Sequence, residues 1–350
     1  MTQRGLWQVV VLGLVVGSAV TACGGDPKVA PQPGPATTAS PTPTAWTRPD
    51  GVAILTKSST GYTVRISDWN TGARVEDLPF QLTDGGFEPH VRSDLRYAAR
   101  RNGYATIELY KPERDTGFVL AASLKDQAAS FGGGKVELDE PRFNPATGRL
   151  WVTATPTKGD PYYLSVDPEQ PTAKPRREST RQAGLRPWEW GFDSKGALVE
   201  TPDWSKKTIT VAGSKGYAFK YATSKSGEIV YAGLMFTANP TYGRDAYQLL
   251  AELAPGDLLL RYVYPGANDD EGTVLRVSFD AKAKTVRYRT AIPASADRVV
   301  FQALAPDKSA VLVATTSAWY RVPLAGGGDQ AEPLPAARSR EIGEEVEVIS

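Results

Sequence analysis

Short apolar runs, each bounded by Gly, Pro, Asn or Asp, recur along the chain from Val52 onward. Val52-Ala53-Ile54-Leu55 begins the series, and Tyr62-Thr63-Val64-Arg65-Ile66 follows Gly61. Later runs are Leu150–Ala154, Thr208–Val211, Val274–Val277, Val286–Tyr288, Ala310–Ala314 and Trp319–Val322. β-Branched and aromatic residues dominate them, and such runs between turn residues predict strands. Helical spacing is scarce. Only Ala246–Leu253 leaves the choice open, because Tyr247, Leu250 and Leu253 would also share a helix face, and Gly256 would suit its end. The pattern predicts an all-β fold over residues 47–350.

A longer phrase repeats within this pattern. An apolar or aromatic residue, a polar turn and an apolar strand occur together at Phe87–Ala99, Phe143–Val152, Phe192–Val199, Ser224–Tyr231 and Leu304–Val313. Their turns fall about 50, 50, 30 and 80 residues apart, and one propeller blade takes about 40 to 50 residues. The phrase resembles the first hairpin of TolB-like and WD40-like β-propellers, where a Ser-Pro-Asp-Gly turn precedes a strand. No copy carries the whole turn, and the Gly-His and Trp-Asp pairs of WD40 blades are missing. The resemblance implies a β-propeller of six or seven blades, with seven favoured when the longest spacing counts as two. Two β-sandwich domains are the alternative. Radial stacking would leave only short protected sheet edges, and Glu345–Ile349 is expected to pair near Val52 and close the ring.

The segment before Val52 reads differently. Arg4 precedes an apolar run from Val9 to Val20, and small residues then lead to Cys23. These are the parts of an export signal. The run is shorter than the roughly 20 apolar residues that a spanning helix needs. Val20-Thr21-Ala22-Cys23 resembles the lipobox of bacterial lipoproteins. That resemblance implies a signal peptide over residues 1–22, cleavage before Cys23 and a diacylglycerol on its sulfur. Membrane lipid would then be the first partner, and the address the extracytoplasmic face of the cell membrane. Cys23 is the only cysteine, so no internal disulfide forms. Residues 23–46 are rich in Pro and Thr, as in Pro31-Gln32-Pro33-Gly34-Pro35 and Ser40-Pro41-Thr42-Pro43-Thr44. Such composition makes an extended tether, not a core.

Charge narrows the partners. Forty basic and 39 acidic residues give a formal net charge of +1, without the basic surplus that a nucleic-acid-binding domain carries. The single histidine, His90, excludes metal sites that need two imidazoles. A Ser-His-Asp triad would have to use His90, which sits inside the repeated turn phrase, and no Gly-x-Ser-x-Gly elbow occurs. In Asn268-Asp269-Asp270-Glu271-Gly272 the acids are consecutive, unlike the alternate ligands of an EF-hand, and read as a solvated loop. Neither Gly132–Gly134 nor Gly326–Gly328 is followed by the Lys-Ser/Thr of a phosphate loop. No catalytic residue, metal site or cofactor is expected.

The remaining cluster is aromatic. Trp188, Trp190 and Phe192 alternate, so a strand puts them on one face, and Trp204 follows. They read either as core between blades or as a stacking platform for a sugar or peptide, with Arg186 and Glu189 beside it. The expected role is a binding or scaffold module for an envelope protein or a glycan. The alternative is a carbohydrate hydrolase or lyase with carboxylates at the channel mouth.

Overall fold

The computed structural model describes residues 46–350 apart from 83–86, 104–105, 125–134, 186–188, 201–207, 211–216, 237–244, 264–271, 281, 284, 296–298, 316–317, 326–330, 335–343 and 350. Cys23 and the tether up to residue 45 lie outside the described residues, as do both triple-glycine segments and the acidic run at 268–271. Residues Ala45–Ser350 form one compact unit.

Its strands follow in chain order. The first are β1 (Val52–Ser58), β2 (Gly61–Ser67) and β3 (Arg74–Pro79). Next come β4 (His90–Val91), β5 (Ala98–Asn102), β6 (Thr106–Glu113) and β7 (Gly117–Ser123), then β8 (Val136–Phe143), β9 (Leu150–Pro156), β10 (Tyr162–Val166) and β11 (Arg176–Thr180). A short pair is β12 (Trp190–Phe192) and β13 (Leu198–Glu200). A long meander runs through β14 (Thr208–Thr210), β15 (Tyr217–Thr223), β16 (Ile229–Phe236), β17 (Asp245–Ala254), β18 (Asp257–Tyr262), β19 (Val274–Asp280) and β20 (Thr285–Ile292). The last are β21 (Val299–Leu304), β22 (Ala310–Thr315), β23 (Trp319–Pro323), β24 (Glu332–Leu334) and β25 (Glu344–Ile349).

These strands make six sheets among the described residues. Four have four strands, in the orders β25-β1-β2-β3, β4-β5-β6-β7, β8-β9-β10-β11 and β21-β22-β23-β24. One is the pair β12-β13, and one is the meander from β14 to β20. The first sheet joins distant parts of the chain, with Ala53 opposite Ile349 and Ile54 opposite Val348. This is the closing seam that Glu345–Ile349 predicts.

Apolar side chains fill the space between successive sheets. Leu55, Val64 and Leu78 meet Tyr110 and Phe118, and Phe80 stacks on Phe118 with ring centres 4.5 Å apart. Leu109 meets Leu138, Val152 and Leu164. Leu259 and Val274 meet Val311 and Val313, while Phe301, Leu312 and Trp319 return to Val52 and Ile54. β1 and β22 have neighbours on both faces, which is why they read as unbroken apolar runs. β19 alternates buried and more exposed positions along much of its length. The result is a propeller-like ring of small sheets, not two sandwiches.

Two points depart from the regular blade pattern. Ala246–Leu253 belongs to strand β17, not to a helix. Bulges between Leu249 and Ala251 and between Glu252 and Ala254 shift its register, and this breaks the alternation of two that would have marked it as a strand. The tight turn at Pro255-Gly256, with Gly256 at φ +75°, then keeps the ladder continuous from β17 into β18. The longest spacing between turn phrases, from Ser224 to Leu304, holds β16 to β20, the last five strands of one seven-stranded sheet. Its first and last strands, β14 and β20, come close together.

Candidate functional site

Each copy of the repeated phrase closes a hairpin. The turns join β4 to β5, β8 to β9, β12 to β13, β15 to β16, and β21 to β22. Backbone bonds fold them alike. The Asn144 amide donates to Arg149 O at 2.9 Å, Asp193 to Ala197 O at 3.1 Å, Ser224 to Glu228 O at 2.8 Å and Ala305 to Ala310 O at 2.9 Å. Short polar side chains cap the exposed amides. Asp94 accepts from the Arg96 amide at 3.0 Å, Asn144 from the Ala146 and Thr147 amides at 3.1 Å, and Asp193 from the Ala197 amide at 2.8 Å.

Four of the turns are linked in series. Arg92 Nη1 donates to Gly148 O at 3.2 Å, and Asn144 Nδ2 to Gly196 O at 2.8 Å. Ser194 Oγ donates to Glu228 at 2.6 Å, and Ser226 Oγ to Asp193 at 3.1 Å. Gly196 has φ +78°, and a Cβ there would collide with the Asn144 side chain. Side-chain size and backbone freedom both matter at this crossing.

Between the first two turns and β12 lies a cleft of about 650 Å³. His90, Arg92, Asp94 and Arg96 come from the second sheet, Arg142, Asn144, Asp167 and Glu169 from the third, and Gly191 and Phe192 from the fourth. Arg92 grips Asp94 with two bonds of 2.7 and 2.6 Å, and its guanidinium lies over the Tyr97 ring, 4.9 Å from its centre. Burial pushes the Asp94 carboxyl up. The bonds from Arg92 and the Arg96 amide, with both arginine charges, outweigh it and hold the carboxyl below its ordinary value. Arg96 pairs with Glu169 at 3.1 Å, with both side chains more than half exposed. Tyr97 OH also donates to Glu169 at 2.9 Å. Burial first, and then this carboxylate, push the phenol up to about 12.

His90 lines the cleft from β4. Burial, aided by the nearby Arg142 charge and opposed by Asp139, pushes its pKa down to about 4. The imidazole is therefore neutral at physiological pH.

Beneath the cleft the third and fourth sheets meet through aromatic rings. Trp190 lies 4.8 Å from Tyr163 and 5.9 Å from Phe192, while Phe192 meets Trp151 edge-on at 5.1 Å. Tyr163 OH donates to Glu200 at 2.8 Å. Glu140 sits at a bulge in β8, where the register shifts between Asp139 and Arg142, with a left-handed φ of 54°. Trp190 Nε1 donates to its carboxylate, and Arg181 Nη2 reaches both oxygens at 3.3 Å. Burial pushes this carboxyl up despite Arg181. A strained backbone around a buried carboxyl is a frequent mark of a functional region.

The sequence-predicted platform divides. Trp190 and Phe192 do share one face of β12. Trp190 is only 3% exposed and belongs to the interior, and Glu189 is buried beside it. Phe192 is half-buried and borders the cleft. Arg186, Trp188 and Trp204 lie outside the described residues. Arg92, Arg96, Arg142, Asp167 and Glu169 were not singled out by sequence. Arg92 and Arg96 stood in the repeated phrase, but Asp167-Pro168-Glu169 carried no signal before folding brought it across the cleft. Among the described residues no group of His, Cys, Asp and Glu is arranged to hold a metal ion, and no helix is long and apolar enough to cross a membrane.

No protein-family model matches the chain, and no curated protein matches its sequence. Solved structures align at low identity. Dihydro-heme d1 dehydrogenase NirN, in complex with DHE, aligns at 12% identity over 89% of this chain and 80% of that one, with a TM-score of 0.44. TolB from Acinetobacter baumannii aligns at 16% identity over 81% and 64%, with a TM-score of 0.35. A β-propeller domain from Myceliophteria thermophila aligns at 9% identity over 81% and 85%, with a TM-score of 0.33. The fold description rests on the strand order and seam given above.

Proposed function

We propose that this chain is a lipid-anchored, extracytoplasmic binding module, a divergent propeller with six sheet positions, whose cleft beside Phe192 holds a glycan. The observation that carries the reading is convergence. Side chains from three successive sheets meet on one cleft of about 650 Å³, a size suited to a small ligand. Asp94, Asp167, Glu169 and Arg96 offer hydroxyl-binding groups of both polarities, and Phe192 offers an apolar edge. The linked turns support pre-organisation, which lowers the ordering cost of binding.

Binding without turnover fits the carboxylates better than hydrolysis. Glu140, one of two carboxyls held above their ordinary value among the described residues, is engaged by Trp190 and Arg181 and does not line the cleft.

Titration calorimetry with soluble cell-wall glycan fragments tests the proposal. Phe192→Ala and Asp167→Ala should each weaken binding about tenfold, equivalent to roughly 1.4 kcal/mol. Absence of binding to every fragment, with capture of an envelope protein in its place, would overturn the glycan assignment.

A further inference from the structure

The fifth turn, Ala305–Lys308, is not part of the linked series. It borders a second cavity of about 610 Å³, lined from β1, β17, β18, β21 and β25. Its wall is mainly apolar. Leu249, Leu250, Leu304 and Trp69 are half-buried there, and Val52 and Ile349 close the interior side.

The polar part of the lining is three cations, one carboxylate and one amide: Arg48, Arg261, Lys308, Glu252 and Gln302. Two of the cations are already engaged. Lys308 Nζ donates to Glu252 O at 3.1 Å and Leu253 O at 3.4 Å. Arg48 donates to Ser93 O, and to Gly51 O at 3.3 Å. Glu252 Oε1 accepts from the Gly256 amide at 3.1 Å. Arg261 stands on β18 opposite Gln248, and its side chain makes no hydrogen bond or ion pair among the described residues. An apolar chamber lined by an uncommitted guanidinium matches a molecule with an apolar tail and an anionic head. The tail gains free energy with each methylene it buries, and the head gains a charge-assisted bond.

We propose that this cavity is a binding site for an aliphatic carboxylate, with the tail against Leu249, Leu250 and Trp69 and the carboxylate on Arg261. It is independent of the glycan cleft, shares no lining residue with it, and stands or falls separately. The test titrates the full-length chain with decanoate and with decanol, a neutral tail of the same length. Saturable decanoate binding at least tenfold tighter than decanol is expected. Arg261→Gln should abolish that preference, and Leu250→Glu should abolish decanoate binding, with unchanged thermal melting showing that both variants fold. No saturable decanoate binding, equal affinity for the two ligands, or a preference that survives Arg261→Gln would each overturn the proposal.

Discussion

Glu108→Gln tests the account of the interior most sharply. Arg100 on β5 is fully buried, and Glu108 on β6 is 7% exposed. The Glu108 carboxylate accepts from Arg100 Nε at 2.7 Å, from Tyr110 OH at 2.6 Å and from Asn102 Nδ2 at 2.7 Å. Glutamine keeps the shape but removes the charge and sets an NH2 against donors. The Arg100 charge then loses this carboxylate in the interior, and breaking such a pair costs about 3–5 kcal/mol. With a urea m-value of about 3 kcal/mol/M, the midpoint should fall by roughly 1 M or more. Removing both charges together, as Arg100→Met with Glu108→Leu, should recover most of the loss. There is also a pH arm. Burial pushes the Glu108 carboxyl up, but Tyr110, Asn102 and Arg100 outweigh it and hold it below its ordinary value. Its stabilisation is thus intact above the ordinary carboxylate range, about pH 4.3. It is lost as pH falls through the lower folded value. Glu108→Gln should flatten that part of the acid limb. The assay is equilibrium urea unfolding followed by fluorescence and circular dichroism together. A single variant within about 1 kcal/mol of the parent, or a double variant no better than the single, would refute the reasoning.

Two further predictions come from local geometry and a third from the sequence. Gly117 and Gly227 share φ +87°, but a Cβ at Gly117 would strike Pro79 O while one at Gly227 meets nothing. Alanine should therefore cost about 1 kcal/mol at Gly227 from conformation alone, and about 1–3 kcal/mol more at Gly117, as read by thermal unfolding. The His90 imidazole should titrate by NMR near 4. Its contribution to stability is then intact above about pH 6.5 and is lost as pH falls through the folded value. A midpoint near the ordinary histidine value would contradict the burial argument. Cys23→Ala should move the protein to the soluble fraction or leave an unprocessed precursor on a blot, whereas unchanged processing and membrane association would count against acylation.

The parts of the fold legible in sequence are those set by local chemistry. Asp94, Asn144 and Asp193 cap turns by bonding to amides within four residues, so the phrase survives at each hairpin. Glu345–Ile349 was readable as a partner for Val52–Leu55 because both are strand-forming runs without another obvious neighbour. β17 was ambiguous because its bulges displaced Leu250 and Leu253 from strict alternation. The cleft was mostly illegible. Arg96, in the turn between β4 and β5, and Glu169, in the loop after β10, meet only when their two sheets pack together, and nothing along the chain marks that meeting. The interior place of Trp190 depends on Glu140, 50 residues away, turning its carboxylate inward at a bulge. Alternation in β12 gave the shared face but not which neighbour would cover it.

The seam also sets a timetable. Four of the sheets are each complete within one short stretch of chain, as β4 to β7 are between His90 and Ser123. The sheet holding β1 waits for Glu344–Ile349. In the proposed extracytoplasmic setting folding follows translocation, so one side of β1 stays unpaired until the last strand has crossed. During that interval Ile54 and Leu55 lie on an open edge, the kind that recruits foreign strands. The demand on holdase chaperones outside the membrane therefore falls at the start of this chain, until its last strand arrives.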